Sequence, residues 1–98
     1  MPTERALHIS LMGLAKELRT LRDNARSSYI DAREEFKHKT ADSFALIAAE
    51  AESTAKQIQA AAALVKKNDG HDLEGITWRD VGRLVQRRLT ERLEGIDK

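Results

Sequence analysis

Helix breakers are nearly absent from the first two thirds of this 98-residue chain. Pro2 is the only proline, and Gly13 is the only glycine between Thr3 and Asn68. Proline and glycine interrupt helices most strongly, so a stretch that almost lacks them can be helical throughout. We find no alternating apolar and polar run bounded by turn residues, as a strand would require. The sequence therefore predicts an all-α fold.

A regular apolar stripe runs along the first helical stretch. Leucines recur at alternate spacings of four and three residues, the pattern by which one helix packs along another. Alanine and aromatic residues continue the stripe, which predicts a helix over about 3–36 with Thr3 as its N-cap. Ile9 and Met12 lie off the stripe, so we expect a second neighbour beside this helix. The stripe consists of Leu7, Leu11, Leu14, Leu18, Leu21, Ala25, Tyr29, Ala32 and Phe36.

A second stripe with the same rhythm but richer in alanine predicts a helix over about 42–67. Alanine lets helices approach more closely than the usual ~8–10 Å, so large leucines can fill the space that alanines leave. The two stripes are therefore complementary. The second stripe consists of Phe44, Ala48, Ala51, Ala55, Ile58, Ala62 and Val65.

The two helices can form either an antiparallel hairpin or one continuous rod. A continuous coiled-coil helix keeps its heptad phase or slips by three or four residues, whereas this pattern slips by two between about 37 and 43. Lys37, His38 and Lys39 suit the negative end of a helix, and Thr40 or Asp42 can cap the next one. These features favour the hairpin over the rod.

A third, shorter amphipathic helix is predicted near the end of the chain. The polar, glycine-containing segment 68–76 is typical of a loop, and Thr77 followed by Asp80 resembles a capping box. The predicted helix covers about 78–94, with Gly95 at its C′ position. Gly82 in its interior indicates close helix packing, because glycine there costs about 1 kcal/mol.

The size of the chain predicts one helical domain, 1–98, with a small core. So short a chain buries only about two thirds of its unfolded surface, and 4% of these residues are aromatic. The two long stripes and the thin core together predict a homodimer or a larger oligomeric helical bundle.

The third helix carries the residues that we expect to bind a protein partner. Its apolar residues share an arc of roughly 120° at about 100° per residue, which makes that arc a docking face. Arg88 and Arg92 lie at the edge of the arc, where an arginine can meet an acidic partner. The arc contains Trp78, Val81, Val85, Leu89, Leu93 and Ile96. The predicted partner-binding residues are Trp78, Val85, Arg88, Leu89 and Arg92.

Nucleic-acid binding is the alternative function. It would use Arg79, Arg83, Arg87 and Arg88, supported by Arg19, Arg22, Arg26 and Arg33 of the first helix. However, 17 basic against 16 acidic residues leave a net charge of only +1, and phosphate binding favours a larger basic excess. We also expect Asp80, Glu91 and Glu94 to neutralise Arg79, Arg83 and Arg87.

No catalytic or metal-binding signature is present. His8, His38 and His71 fall in three separate segments, and none has a partner at a diagnostic spacing. Glu35 and His38 resemble the i, i+3 pair of di-iron bundles, but supporting glutamates are too distant, so we interpret them as solvated helix-end residues. We therefore expect a non-enzymatic protein without cofactor or metal.

The compartment prediction depends on cysteine and on hydropathy. The chain has no cysteine, which fits a reducing compartment, and no apolar run approaches the ~20 residues of a membrane span. We expect a cytoplasmic protein that does not bind membranes. The sequence thus favours a self-associating interaction module of the regulator, adaptor or phage accessory type.

Overall fold

The computed structural model describes residues 2–67 and 73–96, and the regular structure in these two ranges is entirely helical. Helix α1 spans Pro2–Glu34, α2 spans His38–Lys67 and α3 spans Leu73–Gly95. The predicted all-α fold class is confirmed. Over these ranges, no helix is both long enough and apolar enough to cross a membrane.

Helices α1 and α2 lie side by side and run in opposite directions. Near the start of α1, His8 donates a hydrogen bond from Nδ1 to the carbonyl oxygen of Ala62, late in α2, over 2.9 Å. Further along α1, Arg22 donates to the carboxylate of Glu52, which lies earlier in α2. Later residues of α1 therefore lie beside earlier residues of α2, as in an antiparallel helical hairpin.

A tight turn joins α1 to α2. The backbone N–H of Lys37 donates to the carbonyl of Ala32 over 2.8 Å, and that of Phe36 donates to the carbonyl of Arg33 over 3.1 Å. These are the two hydrogen bonds of a Schellman motif, whose C′ residue adopts the left-handed conformation. Here Phe36 is that residue, with φ of 60°. Its side chain is exposed and does not extend the buried stripe, contrary to the sequence prediction.

The turn also corrects the predicted helix ends. Helix α1 ends at Glu34 instead of about 36, because the left-handed residue stops the helix. Helix α2 begins at His38 instead of about 42, so His38 and Lys39 belong to the start of α2 and not to the end of α1.

The predicted start of the third helix is also wrong. Helix α3 begins at Leu73, so Thr77 lies inside the helix and does not cap it. Of the predicted loop 68–76, residues 68–72 lie outside the described residues, and the remainder is helical. Gly95, predicted to follow the helix, is its last residue. The predicted boundary was wrong because glycine and threonine, here Gly75 and Thr77, are typical of helix boundaries but lie inside this helix.

The core follows the two predicted stripes closely. All five leucines of the α1 stripe are buried, together with every α2 stripe residue except Phe44, which is partly buried like Tyr29. Ile47 is also fully buried, although it lies off the predicted α2 stripe. Ile47 lines a small surface recess with Arg92 and Ile96, so it faces α3.

Helix α3 packs against both helices, parallel to α1 and antiparallel to α2. Its early residue Gly75 lies beside Leu7 of α1 and Val65 of α2, whereas Gly82 lies beside Leu14 and Ile58. The three helices therefore form an up-down-up bundle, and the molecule measures 52 × 18 × 16 Å.

Close approach of α3 depends on two glycines. A Cβ atom added to Gly82 would lie 2.5 Å from Leu14 Cδ2, well inside ordinary van der Waals contact. A Cβ atom on Gly75 would overlap Val65 Cγ2. Gly75, Gly82 and Leu89 repeat every seven residues, and Leu89 is fully buried. The close packing predicted at Gly82 is therefore present and extends to Gly75.

Candidate protein-binding surface on the third helix

Most of the residues that the sequence assigned to partner binding lie on the inner side of α3, which faces α1 and α2. Leu89 has no exposed surface, so it supports the core and cannot contact a partner in this conformation. Trp78 and Val85 are partly buried and pack against the same core. The predicted apolar arc therefore exists, but it docks largely on the protein's own α1 and α2.

The two edge arginines differ in their surroundings. Arg92 donates from Nη1 to Glu50 Oε2 of α2 over 3.2 Å, so its acidic partner is in the same chain. Arg88 is exposed and forms no ion pair with any described residue. Of the predicted edge, Arg88 is therefore the residue that remains free to contact another molecule.

The outer side of α3 carries apolar residues that the sequence analysis did not assign to a site. Val81 and Leu84 are 38% and 54% exposed. With Arg88 they follow an i, i+3, i+7 spacing, which places the three side chains within about 60° of one another on the helix. We call these three residues the α3 outer face. Val81 was expected to be inside the arc, and Leu84 gave no signal because a lone leucine is common on surfaces.

The arginine stack is less neutralised than expected. Arg79 lies near Asp80, with Nε 3.8 Å from Oδ1, a distance too long for a hydrogen bond. Its Nε atom is buried and lacks a hydrogen-bond partner in the described part of the chain. Arg83 and Arg87 are exposed and form no ion pair there, although Glu91 and Glu94 share the helix. The expected pairing of these arginines is therefore wrong except for Arg79.

A groove lies at the turn end of the bundle, where α3 stops before the end of the hairpin. It has a volume of about 450 Å³. Apolar side chains of all three helices line it, and carboxylates stand among them. We call it the hairpin-end groove, lined by Ser28, Asp31, Ala32, Glu35, Lys37, Thr40, Phe44, Leu93, Glu94 and Ile96.

An ion pair joins α1 to α2 near the middle of the hairpin. The Arg22 guanidinium bonds to the carboxylates of Glu52 and Asp23, and the Arg22 and Glu52 side chains are mostly shielded from solvent. The hydrogen bond from Arg22 holds the pKa of the Glu52 carboxyl below its usual value, against the opposing effect of burial. Hydrogen bonds to Glu52 and then to Asp23 raise the pKa of Arg22 in turn.

The metal-like pair of the sequence does not share a helix. Glu35 lies in the turn, where its carboxylate forms an ion pair with Lys37 Nζ at 3.0 Å. His38 is the first residue of α2. Within residues 2–67 and 73–96, no three side chains of His, Cys, Asp or Glu come together as a metal site would require. His71 lies outside the described residues.

Comparison with known proteins adds no relative. No protein-family model, no curated protein and no solved structure matched this chain. We therefore infer the function from the geometry of the surface.

Proposed function

We propose that this protein is a small, non-enzymatic helical interaction module that self-associates and binds, and by binding inhibits or recruits, a protein partner. The partner contacts the α3 outer face. One observation carries the proposal: Val81 and Leu84 are exposed beside Arg88, which forms no ion pair among the described residues, on a helix whose inner face packs against α1 and α2.

The chemistry of the α3 outer face favours a protein partner with apolar and acidic side chains. Apolar contact with Val81 and Leu84 would release water, and a carboxylate of the partner would meet Arg88. Arginine is one of the residue types that concentrate binding energy at interfaces, which supports Arg88 as an anchor.

Self-association is supported by apolar residues that the protein's own helices leave uncovered. Ile9 and Met12 remain exposed, because α3 packs against the leucine side of α1 instead. The absence of cysteine supports a cytoplasmic location as part of the same proposal. The described histidines, His8 and His38, lie in different parts of the bundle, which favours binding over catalysis.

The experiment compares two matched double variants. Leu84→Asp with Arg88→Glu alters the α3 outer face, and Ile30→Asp with Arg26→Glu makes the same chemical change on α1. The control matches well, because Ile30 is 55% exposed, Leu84 is 54% exposed, and each lies four residues from its exposed arginine.

Wild type and both variants are immobilised, and bound proteins are quantified by mass spectrometry after circular dichroism has shown that the variants are folded. A specific partner should lose at least tenfold in affinity for the α3 variant, about 1.4 kcal/mol, and bind the control normally. Equal loss in both variants would contradict the assignment of this face. Arg92→Glu is not used in this test, because it would also break the pair with Glu50.

Nucleic-acid binding remains a second candidate, favoured by the unpaired Arg83 and Arg87. The arginines of α1 support it less than expected, because Arg19 bonds to Gln59 and Arg22 to Glu52. A mobility-shift assay at two salt concentrations distinguishes the two functions. A phosphate-driven complex should weaken steeply with salt and be lost in Arg83→Glu with Arg87→Glu.

A further inference from the structure

The turn between α1 and α2 contains a residue type that its conformation disfavours. Glycine usually occupies the C′ position of a Schellman motif, because a Cβ atom is strained at positive φ. At this position the chain has Phe36, with φ of 60°. A bulky aromatic residue in this region is a genuine outlier.

The fold itself gains little from this side chain. Phe36 is 81% exposed, so its ring makes almost no contact with the described part of the protein. A strained residue that does not pack within its own chain suggests a role in contact with another molecule. Aromatic residues, phenylalanine among them, are also enriched at protein interfaces.

The hairpin-end groove lies at the same end of the molecule. Its apolar lining includes Ala32, Phe44 and Leu93. Its volume is about 450 Å³, whereas an apolar cavity of about 150 Å³ already accommodates benzene. The groove therefore has room for a phenylalanine ring from another molecule.

The residues that follow Phe36 are complementary in charge to the groove, although Glu34 and Glu35 precede it. Asp31, Glu35 and Glu94 line the groove, and Lys37 is the only cation among the described residues that line it. Lys37 already pairs with Glu35 of its own chain. Phe36 is followed in sequence by Lys37, His38 and Lys39, and Lys39 is exposed and unpaired among the described residues. A second copy would thus present a ring and a cation to an apolar groove edged with carboxylates.

We propose that Phe36 of one copy inserts into the hairpin-end groove of a second copy, and that a twofold axis makes the insertion reciprocal. Ring and groove lie at one end of the same chain, so a single axis can satisfy both contacts, as in a closed symmetric dimer. This inference rests on the self-association in the proposed function and specifies its surface.

The first test measures the dimer dissociation constant by sedimentation equilibrium. Phe36→Gly should weaken the dimer at least tenfold and also raise the melting temperature of the monomer, since glycine relieves the strain. A residue with a purely structural role in the turn would not produce these opposite changes. Leu64→Ala serves as control, because Leu64 is 42% exposed and lies near the end of α2 that is far from the turn, and it should leave the dissociation constant unchanged. Ile9→Ala tests the exposed side of α1 as the alternative dimer surface.

The outcomes separate this inference from the proposed function. A wild-type dimer that Phe36→Gly leaves intact would overturn the inference alone, and weakening by Ile9→Ala instead would place the dimer surface on that side of α1. A wild-type protein that stays monomeric at several hundred micromolar would overturn self-association and this inference together, but not partner binding by the α3 outer face.

A second test uses the absence of cysteine from the chain. Phe36→Cys in one copy is mixed with Glu94→Cys in a differently tagged copy and oxidised. Disulfides need Cβ atoms within about 3.5–4.5 Å, so rapid cross-linking of this pair supports insertion. Phe36→Cys mixed with Ile9→Cys is the control. Cross-linking no faster than in the control would overturn the proposed arrangement.

Discussion

Replacement of Gly82 by alanine tests the close approach of α3 directly. In a helix interior, alanine is favoured over glycine by about 1 kcal/mol, so a helix free of neighbours would be stabilised. In this bundle the new Cβ atom would lie 2.5 Å from Leu14 Cδ2 and would overlap Ile58 Cδ1 as well. Carbon atoms pack best at about 3.5–4.0 Å, so these side chains would have to move by about 1 Å.

The expected cost follows from the lack of free space around those atoms. Ile58 is fully buried and Leu14 nearly so, and overpacking of such a core costs about 1–3 kcal/mol. After subtraction of the helix-propensity gain, Gly82→Ala should lower the free energy of unfolding by about 0–2 kcal/mol. Gly13→Ala is the matched control, because no atom lies within 4 Å of its added Cβ, and it should stabilise by up to about 1 kcal/mol.

Urea unfolding followed by circular dichroism measures both variants, and their difference of about 1–3 kcal/mol is the steric cost of close packing. Ile58→Val should then be better tolerated in Gly82→Ala than in wild type, because it removes one overlapping methyl group. Equal stabilisation by Gly82→Ala and Gly13→Ala would refute the reasoning, since it would mean that α3 lies further from the hairpin.

Three other changes test the remaining contacts. Gly75→Ala should destabilise more than Gly82→Ala, because the overlapping Val65 methyl belongs to a stiff β-branched side chain; urea midpoints give the order. Leu89→Ala should cost about 2–5 kcal/mol in the same assay, and a loss below 1 kcal/mol would contradict its burial. Because the folded-state pKa of Glu52 is lowered, its ion pair contributes stability above the unfolded-state pKa and loses it as pH falls through the folded-state pKa. The stability difference between wild type and Glu52→Gln should therefore be largest near neutral pH and shrink in acid.

The stripes of α1 and α2 were predictable because a helix that buries one side has apolar residues at regular three- and four-residue spacings in its sequence. The leucines from Leu7 to Leu21 and most of the α2 stripe were identified in this way. The turn was not, because Phe36 obeys the period of the stripe although its backbone is left-handed. The slip in the pattern between about 37 and 43 indicated a break near the turn, but periodicity alone does not show at which residues the two helices end.

The sequence could not show which molecule covers the apolar arc of α3, for a related reason. The apolar arc of α3 was correct for Trp78, Val85 and Leu89, but an apolar arc does not state whether its own chain or another molecule covers it. Leu84, exposed and outside the arc, was missed. The pairing of Arg92 with Glu50 was also not predictable from the sequence, because the two residues lie 42 positions apart.

The contribution of α3 to the core has a consequence for how the protein opens. Among the described side chains, Leu89 is the only fully buried large apolar residue of α3, and Gly75 and Gly82, which face the hairpin, have no side chain to bury. Helices that bury little apolar surface detach at a lower free energy than the rest of a fold. Amide hydrogens of α3 should therefore exchange with solvent before those in the centres of α1 and α2, through partial unfolding that leaves the Arg22–Glu52 hairpin closed.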